Sequence, residues 1–128
     1  DARPVVADRP HKSSSSENTY SEDLLQLDAI RAEIIRMARQ AAAWLARKRL
    51  LARSVTIKVR YADFTTVTRS HSAAAPSRDA DEIVQRALAL LERTEAGRRP
   101  IRLLGVGVHG FSADDAATGV PGVLRFEA

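Results

Sequence analysis

The chain contains no cysteine, which excludes a disulfide framework, a thiolate nucleophile and any cysteine-held metal. No apolar run approaches the roughly 20 residues that span a bilayer as a helix, and no signal-type apolar stretch opens the sequence, so no membrane partner is expected. Aromatic residues are few: Trp44, two tyrosines and three phenylalanines. The three histidines, His11, His71 and His109, stand far apart without metal-ligand spacing. Asp114 and Asp115 are adjacent acids in a Gly/Ala-rich tail, whereas two-metal chemistry needs carboxylates held rigidly around the ions. Gly105-Val106-Gly107 has no helix after it to supply a dipole, so it is not a phosphate-cradling loop. With no catalytic or metal-binding constellation, the residues point to a binding module.

What is present is charge, unevenly placed. At 128 residues the chain can bury one core, and its net charge of +4 is a weak pointer to nucleic acid by itself. Residues 48–72 carry Lys48, Arg49, Arg53, Lys58, Arg60 and Arg69 against Asp63 alone, and residues 97–111 carry Arg98, Arg99 and Arg102 with no acid. Residues 76–96 and 112–128 are net acidic. The basic segments are the strand-bearing ones, which predicts a positive sheet side and a neutral-to-acidic helix side, suited to a polyanion.

The order of elements follows from periodicity. Val55, Ile57, Val59 and Tyr61 alternate with Thr56, Lys58 and Arg60, the period of a half-buried strand. Strands are expected at 54–62 and 65–73, joined by Ala62-Asp63-Phe64, with Pro76 ending the second. Ser21 is the expected N-cap of a long amphipathic helix carrying Leu24, Leu27, Ile30, Ile34, Met37, Ala41, Trp44 and Leu45 and ending near Arg47–Arg49. Trp44 lies on that apolar stripe and reads as core. Asp79 and Glu82 have capping-box spacing ahead of Ile83, Val84, Ala87, Leu88 and Leu91, with Gly97 as the expected C′ residue. A last strand at 101–109 would place Ile101, Leu103, Val106 and Val108 on the core side through a bulge near Gly105. Residues 1–11 read as a linker from something upstream, and the serine run at 12–20 as either linker or polar edge strand. The fold class is therefore α+β: a four-stranded, mostly antiparallel sheet in β-α-β-β-α-β order, with two helices on one face and the other face open.

Four stretches carry a family resemblance. KSSSSENTYSED, from Lys12 to Asp23, is similar to K-S-x-x-x-E-N-T-[FY]-x-x-D. VTIKVRYADF, from Val55 to Phe64, is similar to V-T-[LI]-K-[VL]-R-[YF]-x-D-F. The strand from Thr66 to Ser70 resembles T-x-T-R-S, and RLLGVGV from Arg102 to Val108 resembles R-L-[LI]-G-[VL]-x-[VL]. Together, over roughly 12–111, they resemble the little finger, the C-terminal DNA-binding domain of Y-family translesion DNA polymerases of the DinB (polymerase IV) type. The resemblance favours the strand reading of the serine run. It implies a domain at 12–111 that lies along the major groove of primer–template DNA and grips phosphates without reading bases, with a flexible tail at 112–128. The implied contacts are Lys12, Ser13, Ser14, Ser15, Lys58, Arg60, Thr68, Arg69, Ser70, Arg102, Gly105, Val106 and Gly107, many through backbone N–H groups.

The resemblance also implies that polymerisation and its magnesium belong to palm and fingers domains outside this chain, which needs no cofactor of its own. It implies a bacterial cytoplasmic protein, nucleoid-associated when engaged. Relatives often end in a sliding-clamp peptide resembling Q-L-x-L-F. Here the tail GVLRFEA offers Val123, Leu124 and Phe126 without the glutamine. An RNA-binding or protein-interaction module of the same element order is the alternative. The former would need sheet aromatics, where Val67, Arg69 and His71 stand instead.

Overall fold

The computed structural model describes residues 13–113. Their order is β1 (Ser13–Leu24), α1 (Leu27–Lys48), β2 (Leu50–Tyr61), β3 (Thr66–Ser77), α2 (Ala80–Leu91) and β4 (Ile101–Ala113). The strands form one antiparallel sheet in the spatial order β1-β4-β2-β3. Among the described residues no helix is long and apolar enough to cross a membrane.

Alternation makes the sheet two-faced. Val55, Ile57, Val59 and Tyr61 of β2 pair with Val108, Val106, Leu104 and Ile101 of β4, and all of these are buried. Ile30, Ile34, Met37, Ala38 and Leu45 of α1 cover this face, together with Ile83, Val84, Ala87, Leu88 and Leu91 of α2. Trp44 packs at the margin of the core against Phe111, ring centroids 5.4 Å apart.

Several element ends differ from the sequence expectation, each for a tertiary reason. Ser21 caps no helix: it lies within β1, whose pairing resumes at Leu24 opposite Ile101. The helix starts instead after Gln26, with no side-chain cap, so strand pairing overrides a local capping signal. Pro76 does not end β3, which runs on to Ser77. β3 is an edge strand, and its register jumps between Ser72 and Ser77, where a missing N–H breaks no regular ladder. Asp79 does cap α2, accepting from the N–H groups of Asp81 and Glu82, but Gly97 is not its C′ residue. The helix closes at Glu92, and Gly97 serves a later turn at φ +87°.

The bulge lies at Arg102, not Gly105. Arg60 pairs with Leu103 and Tyr61 with Ile101, leaving Arg102 as the extra residue. The inward set of β4 is consequently Ile101, Leu104, Val106 and Val108. Leu103 takes the outward alternation, in the row of Arg60 and Thr19, and is nonetheless buried there, outside the main core cluster.

Candidate nucleic-acid interface

The face turned away from the helices is built of rows that cross all strands. One row runs Ser13, His109, Ser54, Ser72; the next runs Ser15, Gly107, Thr56, Ser70. The third is Glu17, Gly105, Lys58, Thr68, and the fourth Thr19, Leu103, Arg60, Thr66. Hydroxyl groups and glycines dominate, and cross-strand hydrogen bonds order them. Thr56 Oγ1 lies 2.7 Å from Ser70 Oγ and 2.9 Å from His109 Nε2. Ser54 Oγ lies 2.7 Å from Ser72 Oγ. Arg60 Nε donates to Thr66 Oγ1 at 3.0 Å, and Lys58 Nζ to Glu17 Oε2 at 3.0 Å.

The two glycines hollow this face. A Cβ on Gly105 would sit 2.9 Å from Glu17 Cγ, and one on Gly107 would sit 3.1 Å from Ser15 Cβ and 3.3 Å from Ser14 O. β1 can lie flush against β4 only because neither position has a side chain. The result is a shallow trough of about 240 Å³, floored by Gly105 and Gly107 and walled by Ser15, Thr56, Lys58 and His109. Gly105 itself is buried under the Glu17 and Lys58 side chains, whereas Gly107 is half-buried, and it is there that another chain's phosphates can approach the sheet closely.

The sequence-predicted site residues divide by position. Ser13, Ser15, Lys58, Arg60, Thr68, Ser70, Gly105 and Gly107 share the open face. Ser14 has the opposite parity and lines a groove between β1 and α1 with Gln40, Trp44 and Arg47. Val106 points into the core and is buried as a whole residue, so it offers the open face almost no surface of its own. Arg69 pairs with Ile57 on the helix-facing parity, and its Nε donates to the Arg93 carbonyl at 3.3 Å. Arg102, re-aimed by the bulge, lies over the Phe64 ring at 5.2 Å, with Nη1 3.9 Å from Asp23. Lys12, Val123, Leu124 and Phe126 lie outside the described residues.

The expected positive sheet side is therefore thinner than the sequence implies. Lys48 and Arg49 close α1 rather than joining a strand. Arg99 stacks 4.1 Å over Tyr61 and pairs with Asp63 and Glu95, and Arg98 donates to Thr94 O. These cations brace one end of the fold, where Phe64 holds a left-handed φ of +71° in the hairpin turn. Asp63, in the same turn, is held below the usual carboxylate range chiefly by the N–H of Thr65, with Arg99 adding to it.

Eight residues of these rows were not singled out from the sequence as contacts, Glu17, Thr56 and His109 among them. Thr56 was legible, because it alternates in phase with Lys58. Glu17 and His109 required the β1–β4 pairing, which no local pattern specifies.

Beyond the face, one largely covered cation ties the edge strand down. Arg86 of α2 donates through Nη2 to Arg53 O at 2.7 Å and His71 O at 2.9 Å, and through Nε to His71 Nδ1 at 3.2 Å. Its Nη1 has no hydrogen-bond acceptor among the described residues and lies 4.0 Å from Glu82.

Comparison with known proteins agrees with this architecture. Residues 11–119 match the family model described as the impB/mucB/samB family C-terminal domain. The chain is 47% identical over 111 residues to DNA polymerase IV of Alkalilimnicola ehrlichii, covering 87% of this chain and 31% of that protein. It is 42% identical to DNA polymerase IV of Halorhodospira halophila, again covering 87% of this chain and 31% of the relative. The chain thus spans about a third of the length of these relatives. Among solved structures it resembles the little finger domain of PolIV, in a complex with the beta-clamp processivity factor, at TM-score 0.62 and 22% identity, covering 91% and 96% of the two chains. It also resembles an insertion ternary complex of Dbh DNA polymerase at TM-score 0.65 and 14% identity, covering 76% of this chain and 28% of that one. At these identities the structural likeness speaks for the fold. The motifs, the strand order and the family match converge: the chain belongs to the impB/mucB/samB C-terminal domain family, is similar in sequence to DNA polymerase IV proteins and shares the fold of the PolIV little finger.

Proposed function

We propose that this domain grips the sugar–phosphate backbone of primer–template DNA through the outer face of its sheet, without reading base sequence, as the little finger of a translesion polymerase. The observation that carries the reading is the trough over Gly105 and Gly107, lined by hydroxyls and flanked by Lys58. Small residues let phosphates approach backbone N–H groups, hydroxyls donate hydrogen bonds, and the few cations supply a salt-dependent attraction. The palm and fingers that would hold magnesium and perform synthesis belong to the same proposed polymerase. The tail with Val123, Leu124 and Phe126 is the proposed contact for a sliding clamp.

The RNA-binding alternative has no platform, since the four rows of the open face hold no Phe, Tyr or Trp, and Phe111 packs on Trp44 instead. The test is fluorescence anisotropy of a labelled primer–template duplex titrated with the 128-residue chain over a series of salt concentrations. Weak binding should appear at low salt, alike for unrelated sequences, with log affinity falling linearly in log salt. Binding that ignores salt, or none at low salt, overturns the reading.

A further inference from the structure

Glu17 is out of place on a surface that would meet phosphates. It is the only acid in the rows set out above, yet it stands in one of the stretches that carry the family resemblance. Two other residues from those stretches, Lys58 and Gly105, share its row, with Gly105 between them. The missing side chain at Gly105 is what lets the Glu17 side chain lie across β4, because a Cβ there would sit 2.9 Å from Glu17 Cγ. The carboxylate thereby reaches Lys58 Nζ at 3.0 Å, with both side chains still partly open to solvent at 43% and 35%.

We propose that Glu17 is a displaceable counter-anion: it holds the Lys58 ammonium beside the glycine trough in the free protein, yields it to a DNA phosphate on binding, and so keeps backbone affinity low. The inference rests on the backbone-gripping reading above. An exposed pair of this kind is worth little to folding and exchanges partners readily. Exchange has a signature in salt dependence. When a phosphate takes Lys58, the freed carboxylate recruits a cation from solution, which offsets one of the counterions released from DNA. A restrained grip suits a domain that must track along a duplex without halting on it.

The test uses the 128-residue chain and the labelled primer–template duplex, comparing wild type, Glu17→Gln and Glu17→Asp. Glu17→Gln should bind roughly three- to ten-fold tighter at low salt, with a salt slope steeper by about 0.9, and its thermal midpoint should stay near wild type. Glu17→Asp keeps the charge but is shorter, and should bind no tighter than wild type. Wild type that binds while Glu17→Gln binds equally or more weakly overturns the proposal, and so does an unchanged slope with a lowered thermal midpoint, the mark of a purely structural pair. If neither wild type nor Glu17→Gln binds, the backbone-gripping reading fails, and this inference with it. If Glu17→Gln does not fold, Glu17→Asp binding clearly tighter than wild type is the overturning result.

Discussion

At the scale of single residues, the glycines of β4 and the valine between them perform separable tasks. Gly107→Ala would press a methyl group against Ser15 Cβ at 3.1 Å and partly fill the trough. The expected outcome is a loss of about 1 kcal/mol in stability, by denaturant unfolding, together with weaker primer–template binding. Val106→Ala removes buried methyl groups from the helix-facing side. It should lower stability by about 1–3 kcal/mol while leaving the salt slope of DNA binding unchanged. If both substitutions affected binding and stability in the same proportion, the division of β4 into an inward and an outward set would be wrong. Parity made Val106 legible as core from sequence. The close approach at Gly107 was not, because it depends on β1 arriving from the far end of the sequence.

At the scale of elements, two polar clusters hold the edge strands against the helices. Tyr20 of β1 donates to Glu33 of α1 at 2.8 Å, and Arg36 donates to the same carboxylate at 2.8 Å. The hydrogen bond from Arg36, then that from Tyr20, keeps the Glu33 pKa below its ordinary 4.5. Burial, and then the Glu33 carboxylate, pushes the Tyr20 phenol above its ordinary range. Glu33 therefore stabilises the fold fully above pH 4.5, and that contribution is lost as pH falls through the lower folded value. A pH series of thermal midpoints should show Glu33→Gln less stable than wild type near neutrality, with the gap closing on the acid side. A constant gap would mean the carboxylate's charge is irrelevant. On the opposite edge, Arg86→Leu should cost about 2–4 kcal/mol, since three hydrogen bonds to Arg53 and His71 disappear and two carbonyls lose a donor.

Element number, order and type were legible because period-2 and period-3.6 patterns are strong in the core-facing residues. Element ends were less so. Ser21 and Gly97 are good local signals overruled by partners remote in sequence, and Pro76 is tolerated where an edge strand has no regular ladder to break.

At the scale of the whole molecule, counting charge along the sequence overstates the positive face. Arg99 is committed to Asp63, Glu95 and the Tyr61 ring, Arg69 turns toward α2, and Lys48 closes α1. The four rows of the open face hold Lys58 and Arg60 as their lysine and arginine, with Arg102 at the rim. A grip made mainly by these three should show a salt slope of about −3 or shallower, at roughly −0.9 per phosphate neutralised. A slope near −7, as the strand-segment charges would imply by the same rule, would show that cations elsewhere on the molecule take part. The site was half legible: β2 announced its outward residues by alternation, whereas the convergence of Ser15, Glu17, Gly105 and Gly107 exists only through pairing between distant segments.

That pairing has a consequence for how the molecule comes into being. Among the described residues β1 finds its sheet partner only in β4, the last strand along the sequence. Until β4 is in place, β1 has no ladder partner among the described residues and its backbone groups stay bonded to water. β4 lies between β1 and β2, so its placement forms the trough and completes the inner hydrophobic layer together, a pairing of high sequence separation that forms slowly. A chain ending before Gly105 would therefore lack the glycine floor of the trough and the Val106 and Val108 part of the core together.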